Sequence, residues 1–563
     1  MKVVIVGGVA GGATAAARIR RLDEKAEITV FERSGYVSYA NCGLPYYIGG
    51  VIEDEEELTL QTPENFWERF HITVRVRHQV TAINPETKTV SVKDLDTGEE
   101  FEETYDKLLL SPGARPIKPP FSGADDKRIF TLRTVEDTLK IKEFIEKEKP
   151  KSAVIVGGGF IGLELAENMR GLGMEVSIVQ LDKQLMLPFD EEMAAFIHAK
   201  VRAQGINLLL GYSAEGFEPT NTGVKVLLKE SPSMNADMVV LAIGVSPETS
   251  LAKDAGLKLG IKQSIVVNSR METSRPDIYA VGDAVQVKHS VTGQETLLSL
   301  AGPANKQGRI AADNICGGNS HFQGSQGSSV IKVFDMTAAA TGINERTAKE
   351  AGLDYDKIYL TPANHAGYYP GGKNMAMKVI FEKKTGRIFG AQIVGYEGVD
   401  KNIDVLATAI HAKMTGIDLT ELDLAYAPPY SSAKSPVNMA GFMIENIVTG
   451  KVKQFFYGEA KKLPRDGSVT LLDVRTSAEY LHGHMNGFIN IPVDELRKRL
   501  NEVPQGKPVY VNCQSGIRSY IACRILQQNG FACYNFAGGY SFYRVQEEEI
   551  LNSCQSYPCG MDK

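Results

Sequence analysis

Cys42 stands alone in the stretch YVSYANCGLPYYIGG, residues 36–50, between an asparagine and a glycine. A thiol that closes an internal disulfide needs a second cysteine nearby, but Ser38 occupies the position four residues earlier and this stretch has no other cysteine. A lone thiolate can instead cycle through a sulfenic acid or through a mixed disulfide with a small thiol. The sequence therefore predicts that any sulfur bonded to Cys42 during the reaction comes from a small molecule.

The elements that must position this thiol begin at residues 2–32, which read as strand, glycine turn, helix and strand. Gly7 is predicted to make the tight turn, Gly12 to let the helix pack closely, and the helix N-terminus to face a pyrophosphate. Glu32, at the end of the second strand, is placed to accept hydrogen bonds from a ribose hydroxyl pair. Val9 stands where the middle glycine of this pattern is usual, so the match is imperfect.

A second unit of the same kind follows at residues 152–180, SAVIVGGGFIGLELAENMRGLGMEVSIVQ. Gly157, Gly159 and Gly162 have the full spacing of a dinucleotide turn, and the unit ends at Gln180. No arginine stands where a 2′-phosphate would bind, which favours NADH over NADPH. Two such units in one chain predict one bound flavin and one diffusing nicotinamide.

Composition sets the limits around these motifs. The length of 563 residues suggests about three or four domains, and 43 % hydrophobic with 23 % charged residues is typical of a soluble globular protein. A net charge of −6 predicts no nucleic-acid partner, and no apolar run is long enough to predict a membrane partner. The seven cysteines are an odd number without a C-x-x-C pair, so we expect no metal site and a reduced, cytoplasmic setting.

Three further segments carry a family resemblance. LLLSPGARP (108–116) and LAIGVSPET (241–249) match segments that join the flavin and nicotinamide domains of the pyridine nucleotide-disulfide oxidoreductases, and IYAVGDA (278–284) matches their second flavin fingerprint. The chain resembles this family over residues 1–445. The resemblance implies FAD contacts from Gly7, Gly8, Ala10, Gly11, Gly12, Glu32, Arg33, Val80, Ser111, Gly113, Asp283 and Ala301. It implies NAD contacts from Gly157, Gly158, Gly159, Gly162, Gln180 and Gly244.

Within that family, disulfide reductases usually carry two active-site cysteines, so Cys42 resembles the single-cysteine branch. In that branch NADH oxidases and peroxidases use a sulfenic acid, whereas coenzyme A disulfide reductases use a mixed disulfide with coenzyme A. The segment SYANCGLPYYIGG is similar to the active-site segment of the reductases. The resemblance implies that a flavin reduces Cys42, which we expect to lie buried at the end of a narrow coenzyme A channel.

Thr14, Arg18 and Arg21 fall at i, i+4 and i+7 on one face of the first predicted helix. This face is either a solvated basic surface or a site for the phosphates of coenzyme A, which arginine forks bind well. The resemblance to coenzyme A disulfide reductases favours the second interpretation and implies further coenzyme A contacts from Ser38, Asn41 and Lys434. Phe70 stands where that family has a lysine, which removes one expected phosphate contact.

A pair of tyrosines completes the predicted active site. Tyr368 and Tyr426, in NHAGYYPGG and LAYAPPYSSAKSPVNMAG, match two tyrosines that the family contributes across a dimer interface, so we expect a homodimer. A phenol near a leaving thiolate stabilises it by hydrogen bonding. His365 and His411 are predicted to be either general acids or, more commonly, core or interface residues.

The last hundred residues or so resemble a rhodanese domain, from LLDVRTSAEYLHGHMNGFINIPVDEL through VYVNCQSGIRSYIACRILQQNGF to FAGGY. Cys513 to Arg518 form a six-residue loop between a strand and a helix, and Arg518 is expected to brace it. Backbone N–H groups in such a loop favour a thiolate or a persulfide at Cys513. Asp473, Arg475, Glu479 and His484 match the structural framework of that domain. We expect the loop to be exposed, so that it accepts sulfur from bulky donors.

Together these patterns predict an α/β chain. Its domains are an FAD-binding domain in two parts (1–115 and 246–321), an NAD(P)H-binding domain (116–245), an α+β dimerisation domain (322–445), a linker (446–465) and an α/β rhodanese domain (466–563). The predicted enzyme uses NADH to reduce persulfide or polysulfide sulfur, coenzyme A persulfide included, to sulfide at Cys42, with Cys513 as sulfur carrier. The alternatives are a coenzyme A disulfide reductase or NADH oxidase with an incidental rhodanese, and a sulfurtransferase that the flavoprotein half recycles.

Overall fold

The structure of the protein, a computed structural model, describes residues 1–554. Its strands are β1 Lys2–Val6, β2 Glu27–Phe31, β3 Thr73–Arg75, β4 His78–Asn84, β5 Thr89–Asp94, β6 Glu100–Thr104, β7 Lys107–Leu110, β8 Ala114–Pro116, β9 Ile129–Thr131, β10 Ser152–Val156, β11 Glu175–Gln180, β12 Asn207–Leu210, β13 Ala214–Pro219, β14 Val224–Leu228, β15 Ser231–Ala236, β16 Met238–Leu241, β17 Val245–Pro247, β18 Ile278–Ala280, β19 Val287–Lys288, β20 Glu295–Thr296, β21 Ser329–Val333, β22 Met336–Gly342, β23 Tyr355–Leu360, β24 Ala376–Glu382, β25 Ile388–Gly395, β26 Gln454–Phe455, β27 Thr470–Asp473, β28 Ile489–Asn490, β29 Val509–Asn512 and β30 Cys533–Phe536. Its α-helices are α1 Ala10–Leu22, α2 Leu44–Ile48, α3 Pro63–Phe70, α4 Val135–Glu148, α5 Phe160–Gly171, α6 Glu191–Ala203, α7 Ser250–Asp254, α8 Ala301–Ile315, α9 Glu345–Glu350, α10 Val399–His411, α11 Gly416–Thr420, α12 Pro436–Val448, α13 Tyr457–Ala460, α14 Ser477–Leu481, α15 Val493–Leu496, α16 Ile517–Gln528 and α17 Gly539–Cys554.

The chain forms two compact units, the first made of residues 1–183 and 205–327. It contains two parallel five-stranded sheets, with strand orders β18-β7-β1-β2-β3 and β12-β11-β10-β16-β9. Their central strands, KVVIV in β1 and SAVIV in β10, are buried over four of five residues. Such continuous apolar runs form because helices cover both faces of a parallel sheet. Each glycine unit therefore lies at the carboxyl end of a central strand, where α1 or α5 begins.

The second unit consists of residues 184–204 and the chain from 328 onward. It contains an antiparallel sheet of order β21-β22-β25-β24-β23 and a parallel sheet of order β26-β30-β29-β27-β28. Strand β25 is buried along all eight residues, which identifies the centre of the antiparallel core. The parallel sheet with α16 behind it carries the Cys513 loop at the end of β29.

Two segments pack with parts of the chain other than those that the predicted domain bounds suggest. Helix α6 lies within the predicted NAD(P)H-binding stretch in sequence but belongs to the second unit in space. Strand β26, inside the predicted linker, pairs in parallel with β30, so this part of the linker is an edge strand of the C-terminal sheet. Across residues 1–554 we find no helix with the length and apolar character of a membrane span.

Candidate functional site

The predicted flavin site is built around the turn between β1 and α1. Gly7 has a φ of +93°, and a Cβ atom at Gly12 would lie 1.9 Å from the Gly7 carbonyl oxygen, so both positions require glycine. The Gly8 N–H donates to Glu32 Oε2 at 2.9 Å. This hydrogen bond holds the carboxylate beside the helix N-terminus, which is the arrangement that a ribose and a pyrophosphate need.

The other predicted FAD residues converge on the same turn or line its surroundings. Ser111 lies against Gly7 and Gly11, and a Cβ at Gly11 would approach the side chain of Val281, next to the turn that holds Asp283. Gly113 has a φ of +72°, Val80 is buried in β4, Ala301 begins α8, and Arg33 lies 4.0 Å from Glu248. A glycine-lined turn, a helix N-terminus and two carboxylates fit a flavin dinucleotide.

The predicted nicotinamide site repeats this design between β10 and α5. Gly157 has a φ of +114°, and a Cβ at Gly162 would lie 2.0 Å from its carbonyl oxygen. A Cβ at Gly159 would meet no atom of the described chain within 4 Å, so the start of α5 is open to a ligand. The Gly158 N–H donates to Gln180 Oε1 at 2.7 Å. Gly244, with a φ of +109°, completes the predicted set, which fits a dinucleotide.

Cys42 lies in a short helical turn, Asn41–Gly43, directly before α2. The chain reaches it through Ser38, whose φ of +48° is unusual for a residue other than glycine. The Ser38 N–H donates to the carbonyl oxygen of Gly8 at 2.9 Å, so the flavin turn fixes the segment that leads to the thiol. Cys42 is exposed in the single chain, and the buried channel that we predict, to which a partner subunit would contribute, stays a prediction.

Two carboxylates act on the Cys42 thiol from different elements. Partial burial, then the charges of Glu164 in α5 and Asp283 in the flavin turn, raise the pKa of Cys42. Burial removes hydration from the thiolate, and each carboxylate disfavours a second negative charge. Burial raises the pKa of Glu164 itself to about 7, although Tyr46 donates a hydrogen bond to it. Cys42 therefore interacts electrostatically with one residue from each predicted dinucleotide unit. Asp283 belongs to the flavin unit, and Glu164 lies in α5 of the nicotinamide unit.

Arg133 is a site residue that the sequence motifs did not reveal. With the Asn41 amide oriented to satisfy both partners, its oxygen accepts from Arg133 Nη1 at 2.9 Å and its nitrogen donates to the Arg133 carbonyl at 3.3 Å. Arg133 Nε donates to the Ala114 carbonyl at 2.8 Å, and Nη2 lies 3.8 Å from Asp283. This arginine ties the residue before Cys42 to the flavin turn. In the sequence it is one basic residue among many.

The predicted coenzyme A residues have mixed surroundings. Ser38 and Asn41 flank Cys42, as described above. Thr14 Oγ1 donates to Asn305 at 2.5 Å, and Arg18 Nε donates to Asp313 at 2.8 Å, so α8 provides partners for both. Arg21 and Lys434 are exposed. A carboxylate thus takes the Nε of Arg18.

The predicted tyrosine pair forms within the second unit. The hydroxyl oxygens of Tyr368 and Tyr426 lie 2.6 Å apart, although the two residues are 76 % and 45 % exposed. This hydrogen bond raises the pKa of Tyr426. A cavity of about 450 Å³ adjoins Tyr426 and is also lined by Tyr430, Glu397 and Lys401. By contrast, His365 is buried and its Nδ1 lies 3.1 Å from the Ala366 carbonyl, which fits a core position.

The Cys513 loop surrounds its sulfur with hydrogen-bond donors. The Gly516 N–H donates to Cys513 Sγ at 3.1 Å, and Ser519 Oγ lies 3.2 Å from the same sulfur. Gly516 adopts a φ of +100°, which turns its N–H inward. Cys513 itself is 0 % exposed and lies beneath the loop that we predicted to be exposed. The loop folds over the sulfur, and Ile517 on its rim is the exposed residue.

The predicted framework residues hold this loop from one side. Both terminal nitrogens of Arg518 donate to the Glu479 carboxylate at 2.7 Å, and this pairing lowers the pKa of Glu479 to about 2. Arg475 is buried and donates to Asp473 and to the Gly483 carbonyl, each at 2.7 Å. His484 stacks on Tyr480 with 3.9 Å between ring centroids. Arg518 thus braces the loop against α14.

Comparison with protein families supports this geometry. Residues 1–308 match the family described as pyridine nucleotide-disulphide oxidoreductase, and residues 328–436 match its dimerisation domain. The chain belongs to this oxidoreductase family. Residues 457–545 match the rhodanese-like domain. The predicted family, fold class and enzyme class of this oxidoreductase are confirmed, and the family implies FAD and NAD(P)H as cofactors.

Curated proteins similar to this oxidoreductase include coenzyme A disulfide reductases. Coenzyme A disulfide reductases of Staphylococcus haemolyticus and Staphylococcus epidermidis are 36 % and 38 % identical to it. These alignments cover 79 % and 78 % of this chain and 100 % and 99 % of the relatives. The similarity therefore extends over the whole length of the relatives and leaves about a fifth of this chain unmatched.

Two solved structures cover almost all of this oxidoreductase. The crystal structure of reduced Bacillus anthracis CoADR-RHD is 48 % identical, with a TM-score of 0.95, and the alignment covers 97 % of this chain and 98 % of that one. The NAD-dependent persulfide reductase from A. fulgidus is 39 % identical, with a TM-score of 0.90 and coverages of 96 % and 100 %. The fusion architecture is therefore shared with both.

Proposed function

We propose that this oxidoreductase uses NADH to reduce the sulfane sulfur of persulfides or polysulfides, coenzyme A persulfide included, to sulfide. The observation that carries the proposal is the pairing of two different thiol sites in one chain. Cys42 lies within reach of both dinucleotide sites, whereas Cys513 lies in a loop of hydrogen-bond donors. The similarity to a NAD-dependent persulfide reductase over 96 % of the chain supports it.

The chemistry at Cys42 balances as a two-electron reduction. The thiolate attacks the outer sulfur of a persulfide R–S–SH, forms Cys42–S–SH and releases the thiolate R–S⁻. Bound FAD would pass the two electrons of NADH to the new S–S bond. When that bond is cleaved, Cys42 returns to a thiolate and sulfide leaves. The overall reaction is R–S–SH + NADH + H⁺ → R–SH + H₂S + NAD⁺.

The chain's own groups serve this reaction by position and proton transfer. Glu164, with a pKa of about 7, exchanges a proton near Cys42 at physiological pH. The tyrosine pair supplies O–H donors for the leaving thiolate, and we propose that Tyr368 and Tyr426 act on the Cys42 site of a partner subunit in a homodimer. The dimerisation domain at residues 328–436 supports this assembly.

Cys513 is proposed to carry sulfane sulfur before it reaches Cys42. Its thiolate attacks the outer sulfur of a sulfane donor R′–S–SH, which forms Cys513–S–SH, breaks the donor S–S bond and releases R′–S⁻. A small thiolate R–S⁻, such as that of coenzyme A, then attacks the outer sulfur of Cys513–S–SH to give R–S–SH and the free Cys513 thiolate. The Gly516 N–H and the Ser519 hydroxyl stabilise the anionic sulfur of either state. Thr14, Arg18, Arg21, Ser38, Asn41 and Lys434 are proposed to bind coenzyme A.

One side-by-side experiment tests the proposal. Sulfide release driven by NADH is measured on coenzyme A persulfide, on inorganic polysulfide and on coenzyme A disulfide, with NADPH in parallel. We expect release from the persulfide and the polysulfide and a preference for NADH, because the Gln180 side chain occupies the ribose end of the second glycine unit. Oxidation of NADH by the disulfide with no sulfide from either sulfane donor would contradict the proposal.

A coenzyme A disulfide reductase is the second candidate, because proteins with that name match residues of this chain over their whole length. In that case the disulfide is reduced faster than the persulfide and Cys513 has no effect on the rate. An NADH oxidase predicts hydrogen peroxide or water as the product, and a sulfurtransferase predicts thiosulfate:cyanide transfer without NADH. Each product has its own assay, so the same preparation separates these alternatives.

A further inference from the structure

Helix α17 forms hydrogen bonds with the carbonyl groups on the outer side of the Cys513 loop. The carbonyl oxygen of Cys513 accepts from the Tyr540 N–H at 2.8 Å. The carbonyl of Gln514 accepts from the Ser541 N–H at 3.1 Å and from Ser541 Oγ at 2.9 Å. Because these carbonyls point to α17, the N–H side of the loop is left to face the sulfur. A Cβ at Gly539 would lie 2.7 Å from the loop backbone, so the contact is close.

Phe542 anchors this first turn of α17 to elements outside the rhodanese-like domain. It is 2 % exposed, and its ring lies edge-on to Phe196 of α6 with 5.2 Å between centroids. It also lies 5.1 Å from the ring of Tyr359 on β23. Edge-to-face ring pairs at such separations stabilise a contact beyond the area they bury. Phe542 follows Ser541 directly, so the loop and the aromatic contact are one residue apart.

The far end of α17 is held by α6 as well. Arg202 makes a two-pronged pair with Glu549, with Nη2 3.0 Å from Oε1. His198 is buried, and its Nε2 accepts from the Leu185 N–H at 3.0 Å, so its Nδ1 carries the proton and faces Glu549 at 3.1 Å. Helix α6 in turn is fixed by Lys378, which contacts the carboxylates of Asp190 at 2.7 Å and Glu192.

We propose that α6, through the contact of Phe196 with Phe542, positions the Cys513 loop for sulfane transfer, so that a helix from the nicotinamide-binding stretch of the chain supports the rhodanese-like site. Phe196 and Phe542 are positioning residues, since neither touches the sulfur. If α17 loosens, the carbonyls of Cys513 and Gln514 lose their donors, and their peptide planes can rotate oxygen toward the sulfur. An anionic persulfide is then less stable. The inference rests on the proposed sulfur-carrier role of Cys513.

The test uses the full-length holoenzyme with Phe196→Ala, and with Phe144→Ala as matched control. Phe144 pairs edge-on with Phe130, also at 5.2 Å, in the first compact unit and is half-buried like Phe196. We measure persulfide formation on Cys513 from inorganic polysulfide by mass spectrometry and cyanolysis, and its alkylation by iodoacetamide. In Phe196→Ala we expect persulfide formation to fall about fivefold and alkylation of Cys513 to rise, because a loosened loop exposes the sulfur.

Reduction of coenzyme A disulfide by NADH should stay within about twofold of wild type in Phe196→Ala, because Cys42 belongs to the other compact unit. Phe196→Leu, which keeps an apolar side chain, should restore most of the persulfide formation, whereas a general loss of structure would not respond to this rescue. Should Phe196→Ala fail to fold, Ser541→Ala, which removes the Oγ donor to the Gln514 carbonyl, is compared with wild type instead, and we expect persulfide formation to fall there as well.

The outcomes are distinguishable. Absence of any persulfide on wild-type Cys513 would overturn the proposed carrier role itself. Normal persulfide on wild type together with wild-type values in Phe196→Ala and Ser541→Ala would leave the carrier role standing and overturn the positioning role of α6. Equal losses in Phe196→Ala and Phe144→Ala would also overturn it, since the effect would then be nonspecific.

Discussion

Cys42 and Cys513 are two thiols of one chain in opposite surroundings. Cys42 is exposed in the single chain, yet partial burial by the surrounding atoms and then the carboxylates of Glu164 and Asp283 raise its pKa. Cys513 is fully buried, and its neighbours are the Gly516 N–H and the Ser519 hydroxyl. Carboxylates disfavour an anionic sulfur, whereas N–H and O–H donors stabilise one.

The difference supports the two separate roles that we propose for these thiols. Cys513 has its stabilising groups built into the loop, so it suits a sulfur atom that is stored as an anion. Cys42 lacks such donors and instead feels the charges of Glu164 in α5 and Asp283 beside the predicted flavin turn, which supports the proposed role of a thiol that is reduced in each cycle. The predictions below, in decreasing order of effect, test this division.

The largest effect is expected for Cys42→Ser. NADH-driven sulfide release from every donor should fall by at least about a thousandfold, because a hydroxyl does not replace the nucleophilic thiolate. NADH should still bleach the flavin, since the two dinucleotide sites are untouched. Stopped-flow absorbance measures the bleaching of the flavin, and a sulfide assay measures the release of sulfide. Substantial turnover in Cys42→Ser would contradict the assignment of Cys42.

Cys513→Ser should act selectively. With polysulfide as donor, sulfide release should fall at least about tenfold, because the buried loop accepts a thin linear donor and then passes on its sulfur. With coenzyme A persulfide, which can meet the exposed Cys42, the rate should stay within about twofold. Cys523→Ser, a buried thiol outside the loop, is the control. Wild-type rates of sulfide release in Cys513→Ser with both donors would show that the C-terminal domain has no part in this reaction.

The tyrosine pair is expected to matter less than either thiol. Tyr368→Phe/Tyr426→Phe should lower turnover about tenfold, the value of one lost hydrogen bond to a charged group. In a homodimer with shared sites, mixing these subunits with Cys42→Ser subunits should restore activity in purified heterodimers. Heterodimers without any recovery would indicate that the tyrosines do not serve the partner's Cys42.

Glu164→Gln tests the charge at the Cys42 site. A neutral amide removes one cause of the raised pKa of Cys42, so the thiolate fraction increases and alkylation of Cys42 at pH 8 should rise about threefold. The exposed Glu175, replaced by glutamine, is the control. Below pH 7 the difference should shrink, because Glu164 has a pKa of about 7 and becomes neutral in the wild type. Slower alkylation of Cys42 in Glu164→Gln would contradict the conclusion that the Glu164 charge raises the pKa of Cys42.

The smallest effect is expected where the Cys513 loop meets α14. The folded-state pKa of Glu479 is lowered to about 2, so its pairing with Arg518 stabilises the fold above the unfolded value of 4.5 and is lost as pH falls toward 2. Both side chains are about one-third exposed, so Glu479→Gln should lower the unfolding free energy at pH 7 by about 1 kcal/mol at most. Urea titrations at pH 7 and at acid pH measure this difference, which should vanish at low pH.

Local patterns in the sequence predicted the parts of the site that depend on neighbouring residues. The glycine spacing at Gly7 and Gly12, and again at Gly157 and Gly162, predicted tight turns that the backbone angles confirm. The C-Q-S-G-I-R stretch predicted a loop with an inward N–H, and Gly516 supplies it. In each case a chain segment of a few residues determines the geometry, because sterics and helix N-termini act over that range.

Arg133, Glu164 and Phe196 lay beyond such reasoning. Each is remote in sequence from the thiol it affects, and none belongs to a motif. Arg133 reaches Asn41 across 92 positions, and Phe196 reaches Phe542 across 346. The complete burial of Cys513 beneath its loop was not predicted for the same reason, since burial depends on which surfaces the folded chain brings together.

The sequence by itself thus determined two dinucleotide turns, a lone Cys42, a rhodanese-like loop and the family to which the chain belongs. Only the tertiary structure decided which charges face Cys42, that Cys513 is buried, and that α6 joins the second compact unit. The physical reason is the range of the forces involved. Turn sterics and capping act within one segment, whereas desolvation and charge act on whatever residues the fold brings within a few ångströms.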